Sequence, residues 1–329
     1  MNYLVIGFGS VGKRHSENLI ALGNSCAIVD PDLAKIKSAV GLGYKSFSSL
    51  DNVETNCEFE AVLICSPPVF HIEQAIWALE LDKKVFLEKP IGMNLSECQN
   101  LLRYDQNRIF VGYTYQWNPQ YLRLKQDLNS NLIGNPYYAN FVLGMNLEDW
   151  HPQEDYRKFF MSKIKLGGGA LLDESHFIEL AIDLFGLPEK ISGLQSKVST
   201  LEIETDDYVF IQFQYENLLL DIKLDLFKRP HESFIQLYGS DGSIICDFIK
   251  KRNTYIGHSL LSKIPSSSVD FEYERNDVFK EMIADYSVFA NNKAESARVT
   301  LKRGLEVMQI IDKVREASVN RKWIFVDPK

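Results

Sequence analysis

A glycine-rich turn between an apolar run and a helical pattern constrains the fold of this chain most. Residues 3–6 are apolar and lead into Gly7-Phe8-Gly9-Ser10-Val11-Gly12, and the spacing then predicts a helix over 11–22. One glycine allows the tight turn, one lets a ligand approach the backbone, and one lets helix and strand pack closely. The helix would present free N–H groups to a pyrophosphate. We therefore predict cofactor contacts from Gly7, Gly9, Ser10, Val11 and Gly12.

A carboxylate follows the next apolar run. Asp30 comes 23 residues after Gly7, close to the roughly 20 residues expected for an acid that binds an adenosine ribose. A carboxylate there accepts from the 2′-hydroxyl and repels a 2′-phosphate, which favours NAD. Lys13 and Arg14 are basic neighbours that would accommodate the extra phosphate, so NADP is the alternative. A purely structural role for Asp30 is a helix N-cap before Pro31.

Two further apolar runs end in polar residues and prolines. Residues 61–65 stop at Ser66-Pro67-Pro68, and residues 85–87 stop at Glu88-Lys89-Pro90. Pro90 lacks the N–H that a central strand donates, so it ends the strand and leaves Lys89 at the carboxyl tip. Ligands of open α/β sheets bind at that edge, which makes Lys89 a candidate for chemistry. The alternative is a solvated charge pair on a loop.

Strand and helix patterns alternate through the first third of the chain. Apolar residues at positions 72, 75, 76 and 79 have helical spacing, and residues 95–102 predict another helix. A last apolar run, residues 109–111, leads into Gly112-Tyr113-Thr114-Tyr115-Gln116-Trp117-Asn118-Pro119. Such alternation predicts an α/β fold, a doubly wound parallel sheet of the Rossmann type over residues 1–118.

Period-two patterns dominate the second half. Alternate residues are apolar over 209–215 and 218–226, and Asp241-Gly242 signals a hairpin turn. These patterns predict an α+β domain over residues 119–329, with a large open antiparallel sheet and helices on one side.

Three glycines precede a cluster of polar residues in this half. Gly167-Gly168-Gly169 permits a close turn, and a continuous helix is predicted to follow as far as Phe185. Asp173 and Glu179 each stand three residues from His176, so each would touch it across one helical turn. An imidazole flanked by carboxylates is typical of a general base. The alternative is a structural histidine, and we predict no metal site.

The loop before the glycines, residues 150–158, is dense in hydrogen-bonding and charged groups. Trp150 can stack on a sugar face, and Arg157 can bind a carboxylate or phosphate with two parallel hydrogen bonds. His151 and Tyr156 complete the predicted substrate contacts. A solvated surface loop is the alternative.

Composition restricts partners and compartment. The net charge of −8, without blocks of like charge, argues against nucleic acid and favours a cytoplasmic protein. No apolar run is long enough to span a bilayer, and the first residues lack the basic and apolar regions of a signal peptide. We therefore expect neither a membrane-spanning segment nor a signal peptide. The five cysteines form no C-x-x-C pair, which argues against structural zinc or a disulfide framework.

Four stretches together, GFGSVGKRH, ICSPPVFH, VFLEKP and VGYTYQWNP, resemble the motifs of the Gfo/Idh/MocA oxidoreductases. That family uses nicotinamide cofactors on sugars, cyclitols and sugar derivatives. The resemblance implies that Lys89 is catalytic, between nicotinamide and substrate, and that the second domain's sheet forms a homodimer or homotetramer. For His71 the alternative is a helix N-terminal residue without ligand contact. The implied cofactor-lining residues are Ser66, Pro67, His71, Glu88, Lys89, Gln116, Trp117 and Asn118.

Two stretches resemble a subgroup associated with surface-glycan and nonulosonic-acid biosynthesis: DWHPQEDYRK at 149–158 and DESH at 173–176. Many family members carry D-x-G-x-H-x-x-D, whereas here Asp173 and His176 are three residues apart and Glu179 replaces the last aspartate. The resemblance implies that His176 accepts the substrate proton and that Asp173 assists. The implied reaction is hydride transfer with a secondary alcohol or its ketone. An NAD-dependent glycosidase with transient oxidation and a non-enzymatic NAD-binding regulator are the alternatives.

Overall fold

The computed structural model describes residues 1–54, 58–150, 152–258 and 266–326. The chain divides into two compact units, which we call the first unit (Met1–Thr114 with Glu274–Leu305) and the second unit (Tyr115–Tyr273 with Glu306–Lys329). These units differ from the predicted ranges of 1–118 and 119–329 mainly in that Glu274–Leu305 packs with the first unit.

Parallel strands form the core of the first unit. Their bounds are β1 (Asn2–Ile6), β2 (Ser25–Val29), β3 (Lys45–Phe47), β4 (Ala61–Ile64), β5 (Lys84–Glu88) and β6 (Ile109–Gly112). All neighbours pair in parallel, in the order β3-β2-β1-β4-β5-β6. β4 and β6 are buried along their whole length, as strands covered on both faces must be. The predicted doubly wound parallel sheet is confirmed.

Helices connect and cover the strands. Within the described part of the chain they are α1 (Ser10–Ala21), α2 (Leu33–Gly41), α3 (Asp51–Glu54), α4 (His71–Glu80), α5 (Leu95–Cys98), α6 (Pro119–Asn129), α7 (Ala170–Asp173), α8 (His176–Phe185), α9 (Arg275–Ala290) and α10 (Leu301–Asn320). The helix predicted over 95–102 is shorter than expected, because α5 gives way to a 3₁₀ segment, Gln99–Arg103. No helix in the described ranges is both long and apolar enough to cross a membrane.

Helix α9 explains why the segment Glu274–Leu305 packs with the first unit. The Tyr286 hydroxyl lies 3.0 and 3.1 Å from the carbonyl oxygens of Val62 and Lys84, on two neighbouring strands. Its ring also packs edge-on against Phe110 of β6, with 5.5 Å between ring centroids. A fully buried tyrosine needs a partner for its hydroxyl, and here strand carbonyls provide it.

A large mixed sheet forms the core of the second unit. Its strands are β7 (Pro136–Gly144), β8 (Lys190–Ser196), β9 (Tyr208–Gln214), β10 (Leu219–Asp225), β11 (Glu232–Gly239), β12 (Gly242–Asp247), β13 (Arg252–Gly257), β14 (Ser267–Asp270) and β15 (Ile324–Phe325). The order is β14-β13-β12-β11-β7-β10-β9-β8-β15. The α+β class is confirmed, but the sheet is not purely antiparallel, because β7 pairs in parallel with β10. A long connection containing α7 and α8 separates these two strands, whereas a tight hairpin allows only antiparallel pairing.

Candidate functional site

The carboxyl ends of four neighbouring strands bring the predicted residues of the first unit to one edge of the sheet. Ile6 of β1 pairs with Val29 of β2 and Ile64 of β4, and Ile64 pairs with Leu87 of β5. The order of β1 and β4 in this sheet marks the switch point where dinucleotides bind in this class of fold. The residues that follow these strand ends, in spatial order, are Asp30, Gly7, Ser66 and Lys89.

Glycine is present at the three positions of the turn for different structural reasons. Gly7 has φ +95°, and a Cβ there would lie 2.7 Å from the backbone nitrogen of Ser66. A Cβ on Gly12 would overlap the carbonyl oxygen of Gly7. Gly9 precedes α1, and a Cβ there would meet no protein atom within 4 Å. The space beside Gly9, at the helix N-terminus, is therefore open to a ligand, whereas Gly7 and Gly12 are required by the protein itself.

Asp30 is buried and holds the glycine turn. One carboxylate oxygen accepts from the Phe8 N–H at 2.7 Å, and the other accepts from the Asp32 N–H at 2.9 Å. The Lys35 amine lies 3.4 Å from the first oxygen. The N-cap of α2 is Asp32, so Asp30 does not have the helix-capping role that was its alternative. Ribose binding by Asp30 stays a prediction.

The Glu88-Lys89-Pro90 tip is tied to helix α1. The Glu88 carboxylate is buried, with one oxygen 2.7 Å from His15 Nε2 and the other accepting from the Lys89 N–H at 3.1 Å. The Lys89–Pro90 peptide bond is cis. Sequence reasoning missed His15. Its only signal was a histidine one turn after Gly12, among the buried positions of α1.

His71 lies between two of the strand-end loops. It is 1% exposed, with Nε2 2.7 Å from the Ser66 carbonyl oxygen and Nδ1 2.8 Å from the Pro90 carbonyl oxygen. A neutral imidazole has one N–H, so it donates to only one of these two acceptors. Burial lowers the pKa of His71 even though both carbonyls favour its charged form. His71 is therefore a neutral link between the loops at neutral pH.

This lowered pKa predicts a pH dependence of stability. Unfolded chains protonate histidine near pH ~6.5, whereas folded His71 stays neutral at that pH, so the unfolded state binds more protons as the pH falls. The free energy of unfolding should therefore drop below about pH 6.5 more steeply in the parent than in His71→Gln, by at most about 1.4 kcal/mol per pH unit. Urea unfolding at several pH values measures this. His258→Gln, at an exposed histidine, is the control, and parallel curves for parent and His71→Gln would contradict the prediction.

In the second unit, His176 is distinguished by its exposure. Every residue from 167 to 182 is buried except His176, which is half-buried. Its ring packs edge-on against Tyr115, with 5.3 Å between ring centroids. A side chain that reaches solvent from an otherwise buried segment can meet a substrate.

The helix predicted through Asp173 and His176 is interrupted. Asp173 is the last residue of α7 and His176 is the first residue of α8. Between them the Ser175 N–H bonds to the Leu172 carbonyl and the Phe177 N–H to the Glu174 carbonyl, an i to i+3 pattern tighter than an α-helix. The prediction of one continuous helix is wrong at this point, and the spacing argument for Asp173 loses its basis.

Gln116 and Asn118 have partners within the second unit. The Gln116 amide nitrogen lies 3.0 and 3.2 Å from the two oxygens of buried Glu179. Asn118 is the N-cap of α6, and its amide nitrogen donates to the Tyr273 hydroxyl at 3.0 Å. Trp117 between them is buried. Cofactor contact by these three residues stays a prediction.

The loop of residues 150–158 is described except for His151, which lies outside the described residues. The Arg157 guanidinium binds both oxygens of Asp155 at 2.8 and 3.2 Å, and an oxygen of Glu202 at 3.1 Å. The Tyr156 hydroxyl accepts from the Glu202 N–H at 3.2 Å. Trp150 is half-buried. Because two protein carboxylates already hold Arg157, the structure favours the surface-loop alternative for this residue.

Two family models match the chain. "Oxidoreductase family, NAD-binding Rossmann fold" matches residues 1–113, and "GFO/IDH/MocA C-terminal domain" matches residues 121–245. The two matches together span most of the chain.

Two curated relatives each match about three quarters of the chain. The myo-inositol 2-dehydrogenase of Thermotoga maritima is 24% identical over 266 residues, which covers 75% of each chain. The uncharacterized oxidoreductase YrbE of Bacillus subtilis is 24% identical over 260 residues, covering 74% of this chain and 72% of that protein.

Solved structures match over the full length. A levoglucosan dehydrogenase in complex with NADH and levoglucosan has a TM-score of 0.86 at 18% identity, covering all of both chains. The WlbA dehydrogenase of Bordetella pertussis, in complex with NADH and UDP-GlcNAcA, has a TM-score of 0.83 at 16% identity, covering 100% of this chain and 98% of that chain. These structural matches show the shared fold.

Proposed function

Because the chain belongs to the Gfo/Idh/MocA family of NAD-binding oxidoreductases, we propose that it transfers hydride between NAD and a secondary alcohol, or its ketone, on a sugar-type substrate. The observation that carries the proposal is the row of strand ends that holds Asp30, the glycine turn and Lys89 in that order. A dinucleotide laid along this row would have its adenosine at Asp30 and its nicotinamide toward Lys89.

The chain's own residues suit NAD. The open space beside Gly9 suits a pyrophosphate at the N-terminus of α1, where free N–H groups and the helix dipole favour negative charge. The Asp30 carboxylate would hold the adenosine ribose and repel a 2′-phosphate, which supports NAD over NADP. Bound NAD supplies the hydride acceptor for alcohol oxidation.

Lys89 and His176 are the residues we propose for the chemistry. The Lys89 ammonium would stabilise the negative charge that develops on the alcohol oxygen as hydride leaves, an effect on the order of a few kcal/mol in a dry site. His176 would accept the hydroxyl proton, and its exposure within a buried segment supports contact with a substrate. The role of Asp173 rests on the motif alone, because α7 and α8 are separate helices.

The proposed substrate is a polyhydroxylated ring. Of the proteins named above, one is called a myo-inositol dehydrogenase and one a levoglucosan dehydrogenase, and a further structural match holds UDP-GlcNAcA. All three ligand types carry secondary alcohols, which supports the reaction class. The motifs at 149–158 and 173–176 narrow the proposed substrates to sugar nucleotides and nonulosonic acids of surface-glycan synthesis. We propose that the protein acts on them in the cytoplasm, as a homodimer or homotetramer.

A substrate panel tests this function. Purified protein is incubated with NAD⁺ and myo-inositol, levoglucosan, UDP-GlcNAcA or N-acetylneuraminic acid, and NADH formation is followed by absorbance. We expect turnover of at least one sugar nucleotide or nonulosonic acid, abolished by His176→Ala. Turnover of none of the four would contradict the proposed substrate class.

The same panel separates the alternatives. Chromatography that detects glycoside cleavage without net NADH formation would favour the NAD-dependent glycosidase. NADH binding without reaction on any substrate would favour a regulator, although the family model describes oxidoreductases.

A further inference from the structure

We propose that two buried histidines, His15 and His71, hold the main chain on both sides of Lys89 and so set the position of its ammonium group. Neither would touch substrate, so both are positioning residues. The inference rests on the proposed catalytic role of Lys89. It assigns a function to His15, which the sequence did not single out, and changes the role predicted for His71 from lining the cofactor to supporting the tip.

The first connection runs from helix α1 to the nitrogen of Lys89. His15 is 0% exposed, and its Nε2 lies 2.7 Å from a Glu88 oxygen. The other Glu88 oxygen accepts from the Lys89 N–H at 3.1 Å. Because a carboxylate oxygen only accepts, the proton in the first bond is on His15 Nε2. His15 thereby orients the carboxylate that fixes the peptide nitrogen of Lys89.

Aromatic packing holds the His15 ring in place. Its centroid is 5.2 Å from that of Phe86 on β5 and 5.8 Å from that of Phe279 on α9. The Arg14 guanidinium stacks on the Phe279 ring, with its central carbon 4.6 Å from the ring centroid. Burial between two aromatic rings restricts the rotation of the His15 side chain, which is what a support for a reactive group requires.

The second connection reaches the other side of Lys89. His71 Nδ1 lies 2.8 Å from the carbonyl oxygen of Pro90, and Nε2 lies 2.7 Å from the carbonyl oxygen of Ser66. The ring therefore lies between the loop after β5 and the loop after β4. Because it is neutral, its single N–H donates to one of the two carbonyls at a time, and the tautomer with the proton on Nδ1 donates to Pro90. His71 is the first residue of α4, so a rigid helix carries this contact.

The two connections relate Lys89 to the elements that would bind the cofactor. His15 belongs to the helix that begins at the glycine turn, and His71 contacts the loop at Ser66. A displacement of about 1 Å in a reacting group can cost on the order of 100-fold in rate. Two fixed points, one on each side of Lys89, limit such displacement at its main chain.

Amide hydrogen exchange tests the first connection without a substrate. In the full-length protein, exchange of the Lys89 N–H, resolved by mass spectrometry with overlapping peptides, should be at least about tenfold faster in His15→Leu than in the parent. His15→Gln keeps an N–H donor at a similar reach and should restore slow exchange. Glu17→Leu, at an exposed position of the same helix, is the matched control. Unchanged Lys89 exchange in a folded His15→Leu protein would overturn this connection.

Kinetics with the panel substrate that is turned over tests the consequence for Lys89. His15→Leu and His71→Leu should each lower kcat about 10- to 100-fold while the dissociation constant of NADH changes less than about threefold. In a Lys89→Met background the same changes should have almost no further effect on kcat, because a lost lysine cannot be misplaced. Additive losses would overturn the proposal, and so would a folded His71→Leu protein with parental kcat.

These outcomes separate the inference from the function on which it rests. If Lys89→Met keeps full turnover, the proposed role of Lys89 is wrong. If Lys89→Met loses turnover but both histidine variants keep it, Lys89 is catalytic and the positioning role is wrong. If His15→Leu fails to fold, as seen in its melting curve, His15→Met replaces it in the first test, because methionine has a volume similar to that of histidine but no N–H donor, and the same faster exchange at Lys89 is expected.

Discussion

Lys89→Met is expected to lower kcat about 10²–10⁴-fold, with less than about a threefold change in the dissociation constant of NADH. Methionine matches the length and the apolar stem of lysine but has no charge. The variant therefore removes the group that would stabilise the developing alkoxide while the main chain at the β5 tip keeps its hydrogen bond to Glu88. Steady-state kinetics on the panel substrate and NADH fluorescence titration measure the two quantities.

The matched control for this prediction is Lys280→Met. Lys280 is exposed on α9 of the same unit, so the change in net charge is the same and the site is left alone. Lys89→Arg adds a second comparison, because it keeps the charge on a larger, planar group. Parental kcat in Lys89→Met would exclude Lys89 from the chemistry. A large loss of NADH affinity with parental kcat would instead assign it to cofactor binding.

Gly12→Ala is expected to weaken NADH binding at least about tenfold and to lower the free energy of unfolding by about 1–3 kcal/mol. The added Cβ would overlap the Gly7 carbonyl oxygen, a backbone atom that cannot rotate away. It would also lie 3.3 Å from the Cβ of Cys65, so α1 cannot simply shift toward β4. Calorimetric titration with NADH and urea unfolding measure both effects.

Two other glycines are controls for Gly12→Ala. Gly41 is the last residue of helix α2, and a Cβ there would meet no atom within 4 Å. Gly41→Ala should therefore leave NADH binding unchanged and should either leave the free energy of unfolding unchanged or raise it by about 0.5–1 kcal/mol. Gly9→Ala meets equally open space in the protein, so only a ligand beside it would be affected. Weaker NADH binding at parental stability in Gly9→Ala would place the pyrophosphate there. Parental binding in Gly12→Ala would contradict the argument from the turn.

Patterns among neighbouring residues were enough to predict most strands of the first unit. Strand β2 ends at Val29, so Asp30 follows it directly as predicted, and β5 ends at Glu88, before the proline. Glycines, prolines and apolar runs act through neighbouring residues, so their effect can be read along the chain. The candidate residues at four strand ends follow from the same pattern, because parallel strands share one carboxyl edge.

Only the tertiary structure decided which distant residues meet. His15 and Glu88 are 73 positions apart, and Gln116 and Glu179 are 63 apart. No periodicity encodes such pairs, because they depend on how whole elements pack. The same reason explains the placement of Glu274–Leu305 in the first unit, the parallel pairing of β7 with β10, and the break between α7 and α8.

The sequence by itself determined that this chain forms a dinucleotide-binding sheet and that Lys89 stands at its edge, because spacing and backbone restrictions are local properties. Tertiary packing decided that the residues on each side of Lys89 are held by histidines, Glu88 by one from α1 and Pro90 by one from α4. Those contacts join elements far apart in the chain, and burial gives them their strength by excluding competing water.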